Sequence, residues 1–254
     1  MASQLRAYQP PRPTSPLSSA RPRRNHLRAL TPTPAAPPAP VLVTHSFALP
    51  CGNLALLGDL VLPPQATGLV LYAHGTSSCR RSSRSRHITR LLQQADLGTF
   101  SIDVLALPEM QQSRYAPPAE ALLTQRVAHV ATWLQRQPGL LGLRLGLLGE
   151  GSLAAALLAT CSLLGSLAGA VVTLGEYDVA ATSAASVPTL LLVGDGGAAS
   201  SQADAQVQQQ LGSHSQVRPV AGASCTFQEP GTLAEATKQA ATWFNRHLAK
   251  PRPF

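Results

Sequence analysis

Residues 147–155 read Leu-Leu-Gly-Glu-Gly-Ser-Leu-Ala-Ala, and the rest of the chain is interpreted outward from this stretch. The apolar run 143–148 predicts a strand, and the run 153–158 favours a helix after only four intervening residues. Strand, corner and helix in direct succession place one residue at the apex of a sharp turn. That residue is Gly151, which has no side chain to offer for chemistry.

The positive charge of the chain is concentrated in its first 40 residues. These hold six arginines, ten prolines and no acidic residue. They therefore carry +6 of the formal net charge of +8 of the 254-residue chain. The remainder has 14 basic and 12 acidic residues, so it carries only +2, and no nucleic-acid partner is expected. Residues 1–40 are predicted to be either a disordered tail or an organellar transit peptide. The location is therefore cytoplasmic if the source is bacterial, and a plastid or mitochondrion if the tail is a transit peptide.

Residues 151–175 contain no charged side chain, and this uncharged run is long enough to span a membrane. Gly165 and Gly169 interrupt this run, and its second half is rich in β-branched residues. We therefore expect a buried helix followed by a buried strand in a soluble domain, without a membrane partner.

Metal and redox sites are not expected from the cysteines. The four cysteines show no CxxC spacing and no nearby histidine that would complete a metal-binding motif. We predict no metal and no cofactor, and scattered thiols in a chain of this length suit a reducing compartment.

Strands and helices are predicted to alternate along residues 41–254. This alternation indicates a mainly parallel sheet with helices on both faces, and a leading hairpin adds antiparallel strands at one edge. The sequence Thr232-Leu-Ala-Glu235 predicts a capping box with Thr232 as N-cap. The predicted strands are 41–49, 54–62, 69–72, 99–104, 143–148, 171–174, 189–193 and 217–220, and the predicted helices are 82–94, 119–136, 153–158, 202–211 and 232–248.

Six short motifs occur in a fixed order between residues 53 and 248. Together they resemble the dienelactone-hydrolase-like α/β-hydrolases, in the branch associated with phosphoribosyltransferases. This resemblance implies an α/β-hydrolase fold for residues 41–254. The motifs are Gly58-Asp59-Leu60, Gly68–Gly75, Ser82–Arg86, Thr189–Gly194, Gly222-Ala223 and Phe227–Gly231.

The resemblance also assigns positions to a catalytic nucleophile, acid and histidine, which follow one another in that order in such enzymes. The nucleophile falls on Gly151, the acid on Gly197 and the histidine on Cys225, so none carries the required group. The small residue expected two positions after the nucleophile is Leu153. We therefore predict a pseudoenzyme that binds a small molecule or a protein.

An active ester or lactone hydrolase with an irregular site is the alternative. Its nucleophile would be Ser152 or Cys225, although Ser152 points about 100° away from the apex direction on an ideal helix. A drifting gene product with a fold and little function is a third interpretation.

Further site residues follow from the same positions. Backbone N–H groups of Thr76 and Ser152 are predicted to form the oxyanion hole, and His74 is expected to be structural. Arg84 and Arg86 are the candidates for anion binding, within a cluster that also contains Arg80, Arg81 and Arg90. Asp178 is a weaker candidate for the pocket.

Overall fold

The structure is a computed structural model that describes residues 43–75, 79–113, 115, 118–151, 153–175, 187–195 and 198–249. The chain divides between Pro38 and Ala39 into two units. The tail predicted for residues 1–40 lies outside the described residues and stays a prediction.

The described residues form one sheet of eight strands in the order β1-β2-β4-β3-β5-β6-β7-β8. Strands β1 and β2 form an antiparallel hairpin at one edge, and β2 also pairs antiparallel with β4. All other neighbouring pairs are parallel, which confirms the predicted fold. The strands are β1 Val43–Cys51, β2 Leu54–Leu62, β3 Gly68–His74, β4 Leu97–Asp103, β5 Leu145–Glu150, β6 Ala168–Leu174, β7 Thr189–Gly194 and β8 Gln216–Val220.

Helices cover both faces of the sheet and bury two apolar clusters. The cluster on one face contains side chains from α1 and α6, and the cluster on the other contains side chains from α3, α4 and α5. Every residue of β3, β5 and β6 is buried because these central strands are covered on both sides. The helices are α1 Ser83–Gln94, α2 Leu107–Gln112, α3 Glu120–Gln135, α4 Leu153–Leu164, α5 Ala198–Leu211 and α6 Thr232–Leu248.

Strands β2 and β4 lie second and third in the sheet, and each has one face that carries polar side chains. On β2, Leu56 and Leu60 belong to the core, while Asp59 and Val61 lie on the opposite face. On β4, the buried Thr99 and Ser101 alternate with the core residues Phe100 and Ile102. The face that carries Asp59, Thr99 and Ser101 forms a polar shelf beside α1.

The predicted helices and strands are present, with ends displaced by a few residues, and α2 was not predicted. The uncharged run 151–175 contains helix α4 and strand β6, as expected for a buried helix and strand. Within the described part of the chain, no helix is long and apolar enough to cross a membrane.

The capping box predicted for α6 is wrong. The N-cap is Gly231, with a left-handed φ of +85°, and Thr232 is the first helical residue. The hydroxyl of Thr232 donates to the carbonyl oxygen of Glu229 at 2.8 Å instead of accepting a bond from the helix. The reason is the preceding Pro230-Gly231 turn, which only glycine enters without strain and which starts the helix one residue earlier.

Candidate functional site

The corner between β5 and α4 places Gly151 at its apex with a left-handed φ of +55°. Its N–H donates to the carbonyl oxygen of Leu174 at 3.0 Å, and its carbonyl accepts from the N–H of Ala154 at 2.9 Å. Among the described residues other than its chain neighbours, no heavy atom lies within 4 Å of a Cβ atom built on Gly151. No described neighbour would therefore collide with a side chain at the apex, although the left-handed φ strains any residue that has a Cβ atom.

Leu153, two residues beyond the apex, is buried against the loop after β3. A Cβ atom built on Gly75 would lie 3.3 Å from Cγ of Leu153, so the leucine side chain packs directly on that glycine. A Cβ atom on Gly149 would lie only 2.7 Å from Leu157, which explains why the position two before the apex is glycine. The sequence therefore keeps the glycine that the tight corner requires, and Leu153 occupies the space beside the corner.

Cys225 lies on the loop that follows β8, beside the apex. A Cβ atom built on Gly175 would be 2.9 Å from the carbonyl oxygen of Cys225 and 4.0 Å from the backbone nitrogen of Gly151. A Cβ atom on Gly194 would be 2.7 Å from the backbone nitrogen of Cys225. The loop therefore crosses the carboxyl ends of β6 and β7, and the exposed Cys225 shares one edge of the sheet with Gly151.

Several hydrogen bonds hold the Cys225 loop in place. The carbonyl of Ala223 accepts from the N–H of Asp195 at 2.8 Å, and the N–H of Ser224 donates to Glu229 Oε2 at 2.9 Å. The bond from Ser224 lowers the pKa of Glu229. Phe227 is buried with a φ of +51°, a conformation that costs a non-glycine residue on the order of 1 kcal/mol. These contacts give the loop a defined structure.

Glu150, immediately before the apex, is held by two partners that the sequence did not reveal. Its Oε1 accepts a short hydrogen bond from the hydroxyl of Tyr72, and its Oε2 lies 2.5 Å from Nε of Arg84. Burial, and then the charge of Glu150, raise the pKa of Tyr72. Arg84 also donates through Nη1 to the carbonyl of Thr226 at 2.9 Å. The network joins β3, β5, α1 and the Cys225 loop.

One signal in the sequence did point to Glu150. A carboxylate that ends an otherwise apolar strand must find a partner, because an unpaired buried charge is costly. Nothing local identifies that partner, since Arg84 lies 66 residues away in the chain.

The two arginines predicted to bind anions lie at different places. Arg84 is bound to Glu150 near the apex. Arg86 lies on the other side of α1, in a groove that Arg80 and Arg81 also line. The separation follows from helix geometry, since two residues correspond to a rotation of about 200°.

His74, at the end of β3, is fully buried, as expected for a structural residue. Its Nδ1 lies 3.5 Å from the hydroxyl oxygen of Ser85, and its ring centroid lies 4.0 Å from that of Tyr72, with the two ring planes tilted by 50°. Burial, and then the charge of Arg80, lower the pKa of His74 to about 3. It is therefore neutral at physiological pH.

Thr76, Ser152, Asp178 and Gly197 lie outside the described residues. The oxyanion hole at Thr76 and Ser152, and the position of Gly197, therefore stay predictions. Among the residues that the structure does describe, no group of three or more His, Cys, Asp or Glu side chains is placed to hold a metal ion.

The sheet order and the corner after β5 define an α/β-hydrolase fold, and comparison with known proteins specifies the family. No family model matches the chain. A crystal structure of dienelactone hydrolase from Anabaena variabilis is 30% identical, with a TM-score of 0.74, over 82% of this chain and 99% of that one. The chain therefore belongs to the dienelactone-hydrolase-like α/β-hydrolases, as its motifs predicted.

More distant and longer proteins are also similar. Est1E from Butyrivibrio proteoclasticus shares the fold at 12% identity, with a TM-score of 0.63 over 81% of this chain and 99% of that chain. A Mycobacterium tuberculosis protein named "Putative phosphoribosyl transferase" is 33% identical over 217 residues. The match takes in 84% of this chain and 49% of that relative, so the chain spans about half the length of the curated relatives it matches.

Proposed function

We propose that this protein is a dienelactone-hydrolase-like protein that has lost catalysis and acts by binding a small molecule or a protein. The observation that carries the proposal is Gly151 at the apex of the corner, with φ +55° and no described residue in contact with a Cβ atom built there. An enzyme of this fold needs a nucleophilic side chain at that apex. Glycine cannot attack a carbonyl carbon.

The other two family positions support the same conclusion. By the family resemblance, Cys225 takes the position of the general base and Gly197 that of the carboxylate that would orient it. Loss of a single triad member costs on the order of 10⁴-fold in turnover, and three losses leave only binding and the oxyanion hole.

The surroundings of Gly151 favour binding over chemistry. Leu153 packs on Gly75 and adds apolar bulk to the flank of the apex. Glu150 is held by Arg84 and Tyr72, so its carboxylate is engaged within the protein and is not poised as a base. The open volume at the apex is left for a ligand atom where active relatives place their nucleophile.

The test is turnover of p-nitrophenyl acetate and of the lactone dihydrocoumarin by the purified full chain, with labelling by a fluorophosphonate probe. We expect no turnover above the buffer rate and no labelled band. An active serine hydrolase of the same fold, assayed beside it, shows that the probe and substrates are competent.

The alternative is an irregular hydrolase that uses Cys225 or Ser152, and the exposure of Cys225 beside the apex favours the cysteine. It requires turnover by the unmutated protein that disappears in Cys225→Ala or Ser152→Ala. That result would overturn the proposal. Alkylation of Cys225 without turnover would not, because an exposed thiol reacts with alkylating agents without catalysing anything.

A further inference from the structure

A groove beside α1 is lined by arginines and hydroxyl groups and has a volume of about 270 Å³. We call it the arginine groove. It is near the lower end of the sizes typical of small-molecule sites. Its lining residues are Thr44, Asp59, Val61, Arg80, Arg81, Arg86, Thr89, Gln93, Thr99 and Ser101.

The floor of the arginine groove is the polar shelf of β2 and β4. Strand register places Asp59 opposite Ser101, and Val61 opposite both Thr99 and Thr44. The side-chain amide of Gln93 donates to the hydroxyl oxygen of Thr99 at 2.8 Å, and Thr99 and Ser101 are only 1% and 5% exposed. The floor is therefore polar but nearly covered, and the arginines at the rim are the groups that a ligand can reach.

Arg80 pairs with both carboxylates at this end of the groove, so one positive charge faces two negative charges. Its Nε lies 3.0 Å from Asp59 Oδ2, and its Nη1 lies 3.1 Å from Asp103 Oδ2. The backbone N–H of Arg80 donates to the other oxygen of Asp103 at 2.9 Å. Asp59 also accepts from the hydroxyl of Ser46 at 2.7 Å, so both acids are already engaged within the protein.

Arg81 and Arg86 add two positive charges to the rim of the groove. Both are exposed, and no described carboxylate forms an ion pair with either one. The three arginines outweigh Asp59 and Asp103, so the groove has a net charge of +1. The two exposed guanidinium groups suit a phosphate monoester, which carries roughly −1.5 to −2 at pH 7.

We propose that the arginine groove binds the phosphate group of a small phosphate monoester, with Arg81 and Arg86 as the anion ligands. The groove lies on β4 and β2, and β3 separates β4 from β5, which ends at Gly151. The two sites are therefore roughly 10 Å or more apart by strand spacing. This site stands whether or not the apex is catalytic.

The experiment is isothermal titration calorimetry of the full chain with glycerol 3-phosphate, inorganic phosphate and succinate, in about 150 mM salt to screen weak surface attraction. We expect glycerol 3-phosphate to bind with a Kd below about 1 mM. The double variant Arg81→Ala/Arg86→Ala should lose about tenfold or more in affinity. Both side chains are exposed, so this variant is expected to fold, and circular dichroism checks that it does.

The matched control is Arg136→Ala, which removes an equal charge at the exposed end of α3 on the other face of the sheet. Its affinity should stay within about twofold of wild type, since charges more than a Debye length away are screened. Backbone amide shifts in NMR spectra should place the ligand at Thr89, Gln93 and Thr99.

Each outcome decides the proposal. Tighter binding of glycerol 3-phosphate than of phosphate assigns the groove to a phosphorylated metabolite, and equal binding assigns it to free phosphate. No heat with either phosphate ligand up to about 10 mM overturns the proposal. It is also overturned by binding that survives in the double variant, or by succinate binding more tightly than both.

Discussion

At the scale of single residues, Gly151 combines a left-handed backbone conformation with space for a side chain among the described residues. A residue with a Cβ atom at φ +55° costs about 1–2 kcal/mol relative to glycine, although no described neighbour would collide with it. Glycine avoids this cost at the apex.

We predict that Gly151→Ser lowers the free energy of unfolding by about 1–2 kcal/mol and creates no esterase activity. An isolated serine is a weak nucleophile at neutral pH without a general base. Gly165→Ala is the matched control, because Gly165 also has φ +55° and no described atom within 4 Å of a built Cβ. Urea denaturation should show similar losses for both variants, and a loss below about 0.3 kcal/mol at Gly151 would contradict the argument from strain.

We also predict that Gly151→Ser, Gly197→Asp and Cys225→His together restore measurable p-nitrophenyl ester turnover. The three changes rebuild nucleophile, acid and base at the family positions. Adding Leu153→Gly should raise the rate further, because it returns the small residue of the family beside Gly75. The control combines Gly151→Ala with the same changes at Gly197 and Cys225, and equal turnover by that control would refute the assigned register.

His74 makes stability depend on pH in a defined direction. Its pKa is about 3 in the folded protein, against an ordinary 6.5, so below pH 6.5 the unfolded chain binds a proton that the folded chain does not. The free energy of unfolding should therefore fall as the pH falls from about 6.5 towards 3, by up to ~1.4 kcal/mol per pH unit.

Urea denaturation at several pH values between 7 and 5 checks this prediction in wild type and His74→Gln. The variant should lack the His74 contribution, so its stability should fall less steeply with acidification. His87→Gln, at an exposed position on α1, controls for replacement of a histidine. Identical slopes in wild type and His74→Gln would show that His74 is not the group responsible.

At the scale of secondary-structure elements, the network of Tyr72, Glu150 and Arg84 joins elements that the chain separates widely. Helix α1 reaches the end of β5 through Arg84 and Glu150, and it reaches the Cys225 loop through the carbonyl of Thr226. The side chains of Arg84 and Glu150 are 28% and 11% exposed, so the pair is only partly screened by water.

We predict that Arg84→Ala lowers the free energy of unfolding by about 2 kcal/mol, since it leaves the carboxylate of Glu150 without its cationic partner. Hydrogen exchange at residues 224–227 should quicken, because the bond to the Thr226 carbonyl is lost. Arg90→Ala, at an exposed position of the same helix, should cost less than about 0.5 kcal/mol. Equal costs for the two variants would mean that the network does not stabilise the fold.

At the scale of the whole molecule, the folded domain should be independent of the Pro- and Arg-rich tail. Ten prolines and an absence of acidic residues make residues 1–40 unsuited to packing in a core.

We predict that deletion of residues 1–40 leaves the melting temperature unchanged within about 4 °C, the shift that roughly 1 kcal/mol produces in a domain of this size. Differential scanning calorimetry of the full and shortened chains measures it. A larger decrease would show that the tail is docked on the domain and contributes to its stability.

Much of the fold was accessible from the sequence because its signals are local. The apolar runs of β3, β5 and β7 and the amphipathic pattern of α1 each report burial within a few residues of chain. The exact ends of helices and strands were harder to predict. Thr232 is an example, because a turn outside the helix decided where α6 begins. Helix α2 was missed, since it is only six residues long and buries none of them.

The sequence by itself determined the order and type of the elements, the family, and the absence of a nucleophile at Gly151. Tertiary structure alone decided that Glu150 pairs with Arg84 and Tyr72. It also decided that Arg86 lines the arginine groove while Arg84 binds Glu150 near the apex. The physical reason is that these contacts depend on strand order and register. Hydrophobic periodicity shows which side of a strand is buried, but not which strand lies beside it.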